Sequence, residues 1–314
     1  MQWVIPHLMQ QGHDVVGVDS FVRHGKIDRQ RQYEFMEGDL SDAAVVDKAM
    51  KGVGGVLQAA ARIYGVGGFH KYPADILSHD LALHQNILWA AVANGVEKVG
   101  YVSSSMVYER CEAYPSKEAD AMDQKVPYTD YGLSKLVGER MSMAFQSQYG
   151  IRYVVWRPFN IITPYEKGEA EQGLSHVFAD FIQLIVQEQR NPLPIIGDGS
   201  QVRCFTWIDD VARTIARWTF DSRTDGEAYN LGNPEPIAMR ELAQIIYEEA
   251  QEQGLIPRTG APLATRPSEA FADDVKRRIP DVSKAERDLG WEPTLQVRDA
   301  VKACLRSLDA KCQT

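Results

Sequence analysis

The feature that most limits what this chain can fold into is the alternation of two periodicities along its first half. Short apolar runs, VVGVD (15–19), GGVLQAAA (54–61), KVGYVSS (98–104) and RYVVWRP (152–158), read as strands. Between them lie DAAVVDKAMKG (42–52), ILSHDLALHQNILWAAVANG (76–95) and YGLSKLVGERMSMAFQSQYG (131–150), whose apolar residues return every three to four positions, as on a helix. Gly95 and Gly150 stand where the last two helices should stop. Strands that take turns with helices of this length pair in parallel through right-handed crossovers, so the order predicts a doubly wound α/β sheet with helices on both faces.

After residue 158 the pattern loosens. Loops are expected around Pro164, Pro192 and Pro194, a helix over 176–188, and a polar, proline-rich segment from Gly254 to Pro280. This later material is expected to form a second lobe across the carboxyl edge of the sheet.

Composition narrows the partners. A chain of 314 residues with 44% hydrophobic and 25% charged residues has enough apolar material for one large core or a core and a smaller lobe. A net charge of −9 and the lack of a basic run argue against nucleic acid or an anionic membrane as the main partner, leaving a small ligand. Cys111, Cys204, Cys304 and Cys312 show no CxxC or Cys/His ligand spacing. With no signal peptide and no apolar run of spanning length, the reading is a cytoplasmic protein without metal or disulfide.

The chemistry begins at YVSSSMVY and YTDYGLSKLVGER. Tyr131 and Lys135 stand four apart on an expected helix and share one face, and the strand before them ends in Ser103, Ser104 and Ser105. An ammonium beside a phenol should lower the phenol pKa from about 10, and a serine hydroxyl could hold the oxygen that gains or loses the proton. Such a Tyr/Lys pair is also common on helix surfaces, and its spacing alone leaves both readings open.

The context comes from VVGVD, GDLSD (38–42), LQAAA (57–61), SSSMVY, YGLSK, RPFN (157–160), GDGSQVRCFTWIDDV (197–211), YNLGN (229–233) and DVSKAERDLGWEP (281–293). In order and spacing they resemble the extended short-chain dehydrogenase/reductases, and the chain looks like a nucleotide-sugar epimerase/dehydratase. The resemblance implies a Rossmann-like fold and NAD as cofactor. Tyr131 becomes the acid/base, Lys135 its electrostatic partner and the holder of the nicotinamide ribose, and Ser104 the catalytic hydroxyl. Asp19 would take the adenosine ribose, Asp39 and Leu40 would flank the adenine, and Ala59 and Ala60 would line the cofactor. A carboxylate at Asp19 favours NAD over NADP, because it repels a 2′-phosphate. Asp39 reads equally well as a turn or capping aspartate. Ser104 and Ser105 face the sugar, and Asn160 and Arg203 match contacts to the substrate diphosphate, where a guanidinium fork suits phosphate. Arg266 and Asp274 lie near the late substrate contacts, although their spacing departs from the common RPGDV form.

On this reading residues 1–165 form the NAD-binding domain, with 205–232 returning to it, while 166–204 and 233–314 mainly build the substrate lobe. A homodimer is expected, with helix faces around Ile87–Val92 and Leu133–Phe145 serving either as core or as the subunit contact.

The departures bear on the reaction. The 4,6-dehydratases of the family follow the Ser/Thr with Asp-Glu, the 3,5-epimerases carry Cys at the second of these positions, and the xylose-forming decarboxylases carry Glu there. Here the pair is Ser105 and Met106, and a thioether transfers no proton. What is left is chemistry that needs only Ser, Tyr, Lys and NAD: 4-epimerisation of a nucleotide-diphosphate hexose or uronic acid. The alternatives are another dehydratase or reductase reaction of the family, or a non-catalytic nucleotide-sugar binder. Asp80 stands where the family commonly has a structural Asn. YGVGGF (64–69) follows the wrong strand for a phosphate loop and is expected to be a sugar-facing loop. The first strand and glycine-rich turn are expected upstream of Met1, through a late start codon or a truncated form, over about twenty to thirty residues beyond a βαβ core of roughly thirty.

Overall fold

The computed structural model describes residues 1–23, 25–26, 31–169, 171–271 and 274–312, the last four of these by backbone alone. The side chain of Cys312 thus lies outside the described residues; Cys111, Cys204 and Cys304 are free thiols. The first half runs α1 (Val4–Gln10), β1 (Val16–Asp19), β2 (Glu34–Glu37), α2 (Ala43–Ala49), β3 (Gly55–Gln58), α3 (Val66–Lys71), α4 (Pro73–Ala93), β4 (Lys98–Val102), α5 (Asp120–Asp123), α6 (Asp130–Tyr149) and β5 (Arg152–Pro158). The second half runs β6 (Ile161–Ile162), α7 (Val177–Ile182), β7 (Leu193–Ile196), β8 (Val202–Cys204), β9 (Thr206–Trp207), α8 (Ile208–Trp218) and β10 (Glu227–Leu231). It ends with β11 (Pro236–Ala238), α9 (Met239–Glu252), β12 (Thr265–Ser268), β13 (Arg277–Arg278), α10 (Ser283–Leu289) and α11 (Val297–Cys312).

The expected parallel sheet is present. Its main part has the order β10-β5-β4-β3, and β1 and β2 form a separate parallel ladder. One face is covered by α2, α4 and α6, where Val46, Leu83, Ile87, Leu88 and Val99 form a core. The other carries Trp156, Val211, Ile215 and Trp291 beneath α1, α8 and α10. A further core joins Phe178, Phe181, Leu242, Ile246 and Val301 from α7, α9 and α11. Burying each such side chain contributes about 1.5–3 kcal/mol, so this third cluster is a substantial nucleus of its own.

Local chemistry sets the helix that matters most for the site. Thr129 caps α6, its Oγ1 accepting from Gly132 N at 3.0 Å, and Gly150 ends it at φ +77°. Gly138, in its middle, lets α6 press against β4: a Cβ there would sit 2.4 Å from the Tyr101 hydroxyl oxygen. That contact fixes how far the two turns before it, which carry Lys135 and Tyr131, stand from the strand.

YGVGGF departs from the expectation of a loop. From Val66 it is helical, as α3, with Gly65 as its cap. The amides of Gly65 and Gly67 donate to Leu174 O (2.8 Å) and Gly173 O (2.9 Å), so they are committed to the neighbouring backbone and form no phosphate cradle. Among the described residues no helix is long and apolar enough to cross a membrane.

Candidate active site

The strands of the main sheet deliver their last residues to one edge, where open α/β sheets bind ligands. β4 ends at Val102 and hands on to Ser103, Ser104 and Ser105, while α6 lowers Tyr131 and Lys135 onto the same place. The Ser104 hydroxyl caps the turn Ser105–Tyr108 by accepting from Met106 N at 3.2 Å, and it stands close enough to the Tyr131 phenol to favour its ionised form. The Tyr131 ring is buried beneath Phe69 of α3, stacked at 4.5 Å between centroids and 5° between planes. Lys135 is sealed in, 2% exposed, with Nζ donating to Val102 O at 3.0 Å and standing 5.7 Å from the Tyr131 ring centre.

The phenol does not take the lowered pKa expected of the pair. Burial pushes it up, the Asp80 carboxylate adds to this, and Ser104 and Arg278 pull it back only in part. Lys135 is likewise pushed down by burial and held up by Asp80 and Glu139. The pair shares a face of α6, with the ammonium 5.7 Å from the ring centre.

Asp80, fully buried on α4, links the helix that carries the pair to His79 and Asp39. Its Oδ1 accepts from Arg62 N (2.9 Å) and lies 3.3 Å from His79 Nδ1, while its Oδ2 accepts from Ser134 Oγ at 3.2 Å. The other ring nitrogen of His79 meets Asp39 Oδ1 at 2.9 Å. Bonding to Asp80 above all holds the His79 pKa up. Asp80 itself is pushed up by burial, but His79 and Lys135 outweigh that and leave it below the usual carboxylate range. Asp39 also accepts from Ser41 N (2.9 Å) and Oγ (2.8 Å), as the turn reading of this residue expects.

Asp19 is exposed at the end of β1, its Oδ1 accepting from Phe21 N at 2.8 Å. Leu40 and Ala60 pack against the core under α2 and α4, and Ala59 is half-buried just past β3. Ser105 is buried in its turn. Asn160, at φ +30°, donates to Cys204 O (3.0 Å) and accepts from Arg278 Nη2 (2.9 Å). Arg203 pairs with Asp274 at 3.3 Å, and Asp274 also takes Gln201 Nε2 at 2.7 Å. Arg266 is not brought to this group; it stands exposed on β12, opposite Pro194.

Two residues here escaped the sequence reading. His79 looks like one more isolated histidine until its neighbours are folded around it. Arg278 closes the run KRR (276–278), three cations together in an acidic chain, but only its pairing opposite Arg203 on β8 brings it to the site.

The sequence profile of the NAD dependent epimerase/dehydratase family matches residues 2–232. The chain belongs to this family. GDP-mannose 3,5-epimerase 1 of Oryza sativa subsp. japonica is 28% identical over 303 residues, covering 94% of this chain and 75% of the relative. Two solved structures share the fold. UDP-glucose 4-epimerase of Thermotoga maritima has a TM-score of 0.82 at 23% identity, covering 98% and 95% of the two chains. The dTDP-glucose 4,6-dehydratase of Streptomyces venezuelae, solved with NAD, has a TM-score of 0.84 at 23% identity, covering 98% and 92%.

As a member of this NAD-dependent family the chain takes NAD as cofactor, and the donor set fits two of its parts. Lys135 Nζ spends one of its three N–H donors on Val102 and keeps others for ribose hydroxyls. Asp19 presents an exposed carboxylate at a strand end, suited to a ribose diol.

Proposed function

We propose that the chain is a nucleotide-sugar 4-epimerase acting on a nucleotide-diphosphate hexose or uronic acid. The observation that carries this is the convergence of Ser104, Tyr131 and Lys135 at the sheet edge, with Met106 in the position where relatives of other reaction classes carry a proton-transferring side chain. The three proteins named above are a 3,5-epimerase, a 4-epimerase and a 4,6-dehydratase, so the choice among reactions rests on Met106.

On this reading Tyr131 takes the proton of the sugar 4-hydroxyl and later returns it, while Ser104 holds the same oxygen by a hydrogen bond. Lys135 orients the cofactor ribose and places a positive charge 5.7 Å from the centre of the phenol ring. NAD, held by Lys135 and Asp19, would supply the reversible hydride acceptance that oxidation and re-reduction at C4 require. Asn160 and Arg203 hold the diphosphate while the sugar turns over between the two transfers. Residues 166–204 and 233–314 act as the substrate lobe, and two copies of the chain associate through α4 and α6.

The test is to incubate the protein and NAD with a panel of UDP-, GDP- and dTDP-sugars in deuterium oxide and follow the products by NMR. Inversion at C4 without deuterium at C3 or C5 is expected, because the hydride returns from the cofactor rather than from solvent. Deuterium at C3 or C5, or loss of water from the sugar, would mean that another group acts on carbon and would overturn the argument from Met106.

A further inference from the structure

Arg278 is a half-buried cation with no ion pair of its own among the described residues. It lies on β13 in register with Arg203 of β8, so two guanidiniums stand side by side. Two carboxylates in electrostatic reach favour its charge without bonding it: Asp274 pairs with Arg203, and Glu109 accepts from Thr129 N (2.8 Å) and Thr129 Oγ1 (2.7 Å). Among the described residues Arg278 forms no ion pair; its partners are the Asn160 Oδ1 and the Met106 thioether, both neutral. Its Nε is closed off from solvent and has no hydrogen-bond partner at all. Burial, with Arg203 adding to it, pushes its pKa down to about 9, which still leaves it charged at neutral pH.

A partly desolvated guanidinium that among the described residues has no ion pair, and whose closed-off Nε has no partner, is costly to keep, so the arrangement makes physical sense when an anion completes it. Location says which part of a nucleotide sugar that anion belongs to. Met106 follows Ser104 by two residues and packs in the cluster of Phe69 and Tyr131, so one arm of Arg278 reaches the reacting end of the site. Its other arm meets Asn160 on the side of Arg203. A carboxylate carried on C5 of the sugar is adjacent to the reacting C4, and its two oxygens match the guanidinium fork.

We propose that Arg278 determines specificity by receiving the carboxylate of a nucleotide-diphosphate uronic acid. This rests on the nucleotide-sugar reading above. A neutral hexose, with a hydroxymethyl group in place of the carboxylate, leaves the cation uncompensated and is discriminated against.

The experiment measures binding to the full chain with NAD present, by calorimetry, for pairs sharing a nucleobase: UDP-glucuronic acid against UDP-glucose, and the corresponding GDP and dTDP pairs, with the free nucleoside diphosphates alongside. In the pair of the preferred nucleobase the uronic acid should bind at least about thirtyfold more tightly, the lower range for a buried charge pair. Arg278→Gln should remove that preference while leaving the free nucleoside diphosphate unchanged, and Arg278→Lys, which keeps the charge but loses the fork, should retain part of it. Equal affinity for the two members of each pair would overturn the proposal. So would an Arg278→Gln variant that weakens the free diphosphate as much as the uronic acid, since Arg278 would then serve the phosphates. Failure of every nucleotide sugar and every nucleoside diphosphate to bind would instead overturn the nucleotide-sugar reading, and this proposal with it.

Discussion

Asp80 shows how one side chain can set several properties of the site. It bonds His79 and Ser134 and contributes to the field around both Lys135 and Tyr131. Asp80→Asn is nearly isosteric and can still accept from Arg62 N, so the change is mainly one of charge. His79 would lose the partner that does most to raise its pKa, and its imidazole should titrate at lower pH, read from the ring proton shifts by NMR. Tyr131 would lose a neighbouring negative charge that disfavours its ionised form. Removing that charge makes the phenolate easier to form, so the acid limb of the rate of sugar oxidation should move to lower pH. A His79 titration unchanged by Asp80→Asn would show that the hydrogen bond does not govern it. The expected lowering of the phenol pKa by Lys135 was a fair inference from spacing, but spacing says nothing about burial, and Phe69, sixty-two residues away in sequence, supplies it.

At the scale of elements, what the sequence made legible was whatever its local period encodes. β3, β4, β5, α4 and α6 fall where the apolar patterns place them, and the residues following β4 and opening α6 meet as expected. The rest depended on contacts with no local signature. α3 is written in glycines that ordinarily signal a turn, and it is helical because its capping amides find partners at Gly173 and Leu174. Arg278 arrives on a strand of two residues inside a polar segment. Arg157 of the RPFN motif is a different lesson, because its environment makes it a tie between elements. On β5 it is 1% exposed and pairs through two nitrogens with Glu139 of α6 (2.9 and 2.7 Å), while also donating to the Tyr108 hydroxyl at 2.6 Å. Glu139 in turn accepts from Ser103 Oγ at 2.5 Å, so the pair locks the strand end that carries the serines to the helix that carries Tyr131. Arg157→Met, which strands Glu139 as a buried charge, should lower unfolding stability by about 3–5 kcal/mol. Adding Glu139→Gln should recover part of that loss, measured by urea titration with an unchanged m-value. A double variant no more stable than the single one would mean that packing, not charge, is what Arg157 contributes.

For the whole molecule the remaining question is what covers the outer side of α4 and α6. Their inner residues, Leu83, Ile87 and Leu88 among them, belong to the core, which settles one half of the alternative the sequence left open. The other half lies outside. Trp89 is 46% exposed and Tyr149 39%, and with Phe145 they form a mutually packed aromatic group, Trp89 meeting Phe145 at 5.0 Å and Tyr149 at 5.3 Å. Large aromatics clustered in the open are what association surfaces use, since a rigid ring contributes much area at little entropic cost. A symmetric contact on this face would count every such residue twice, so a single substitution acts with doubled effect. Two copies that each carry −9 also repel, and salt screens that repulsion while leaving aromatic burial intact. The protein is therefore expected to be a dimer by light scattering at micromolar concentration and to hold together at least as well when salt is raised. Trp89→Glu should convert it to a monomer that keeps its far-ultraviolet circular dichroism, because this side chain leaves nearly half its surface in solvent and adds little to the subunit's own core. A dimer that survives Trp89→Glu unchanged would place the contact on another face, and a wild-type monomer under these conditions would end the proposal of a paired α4/α6 surface.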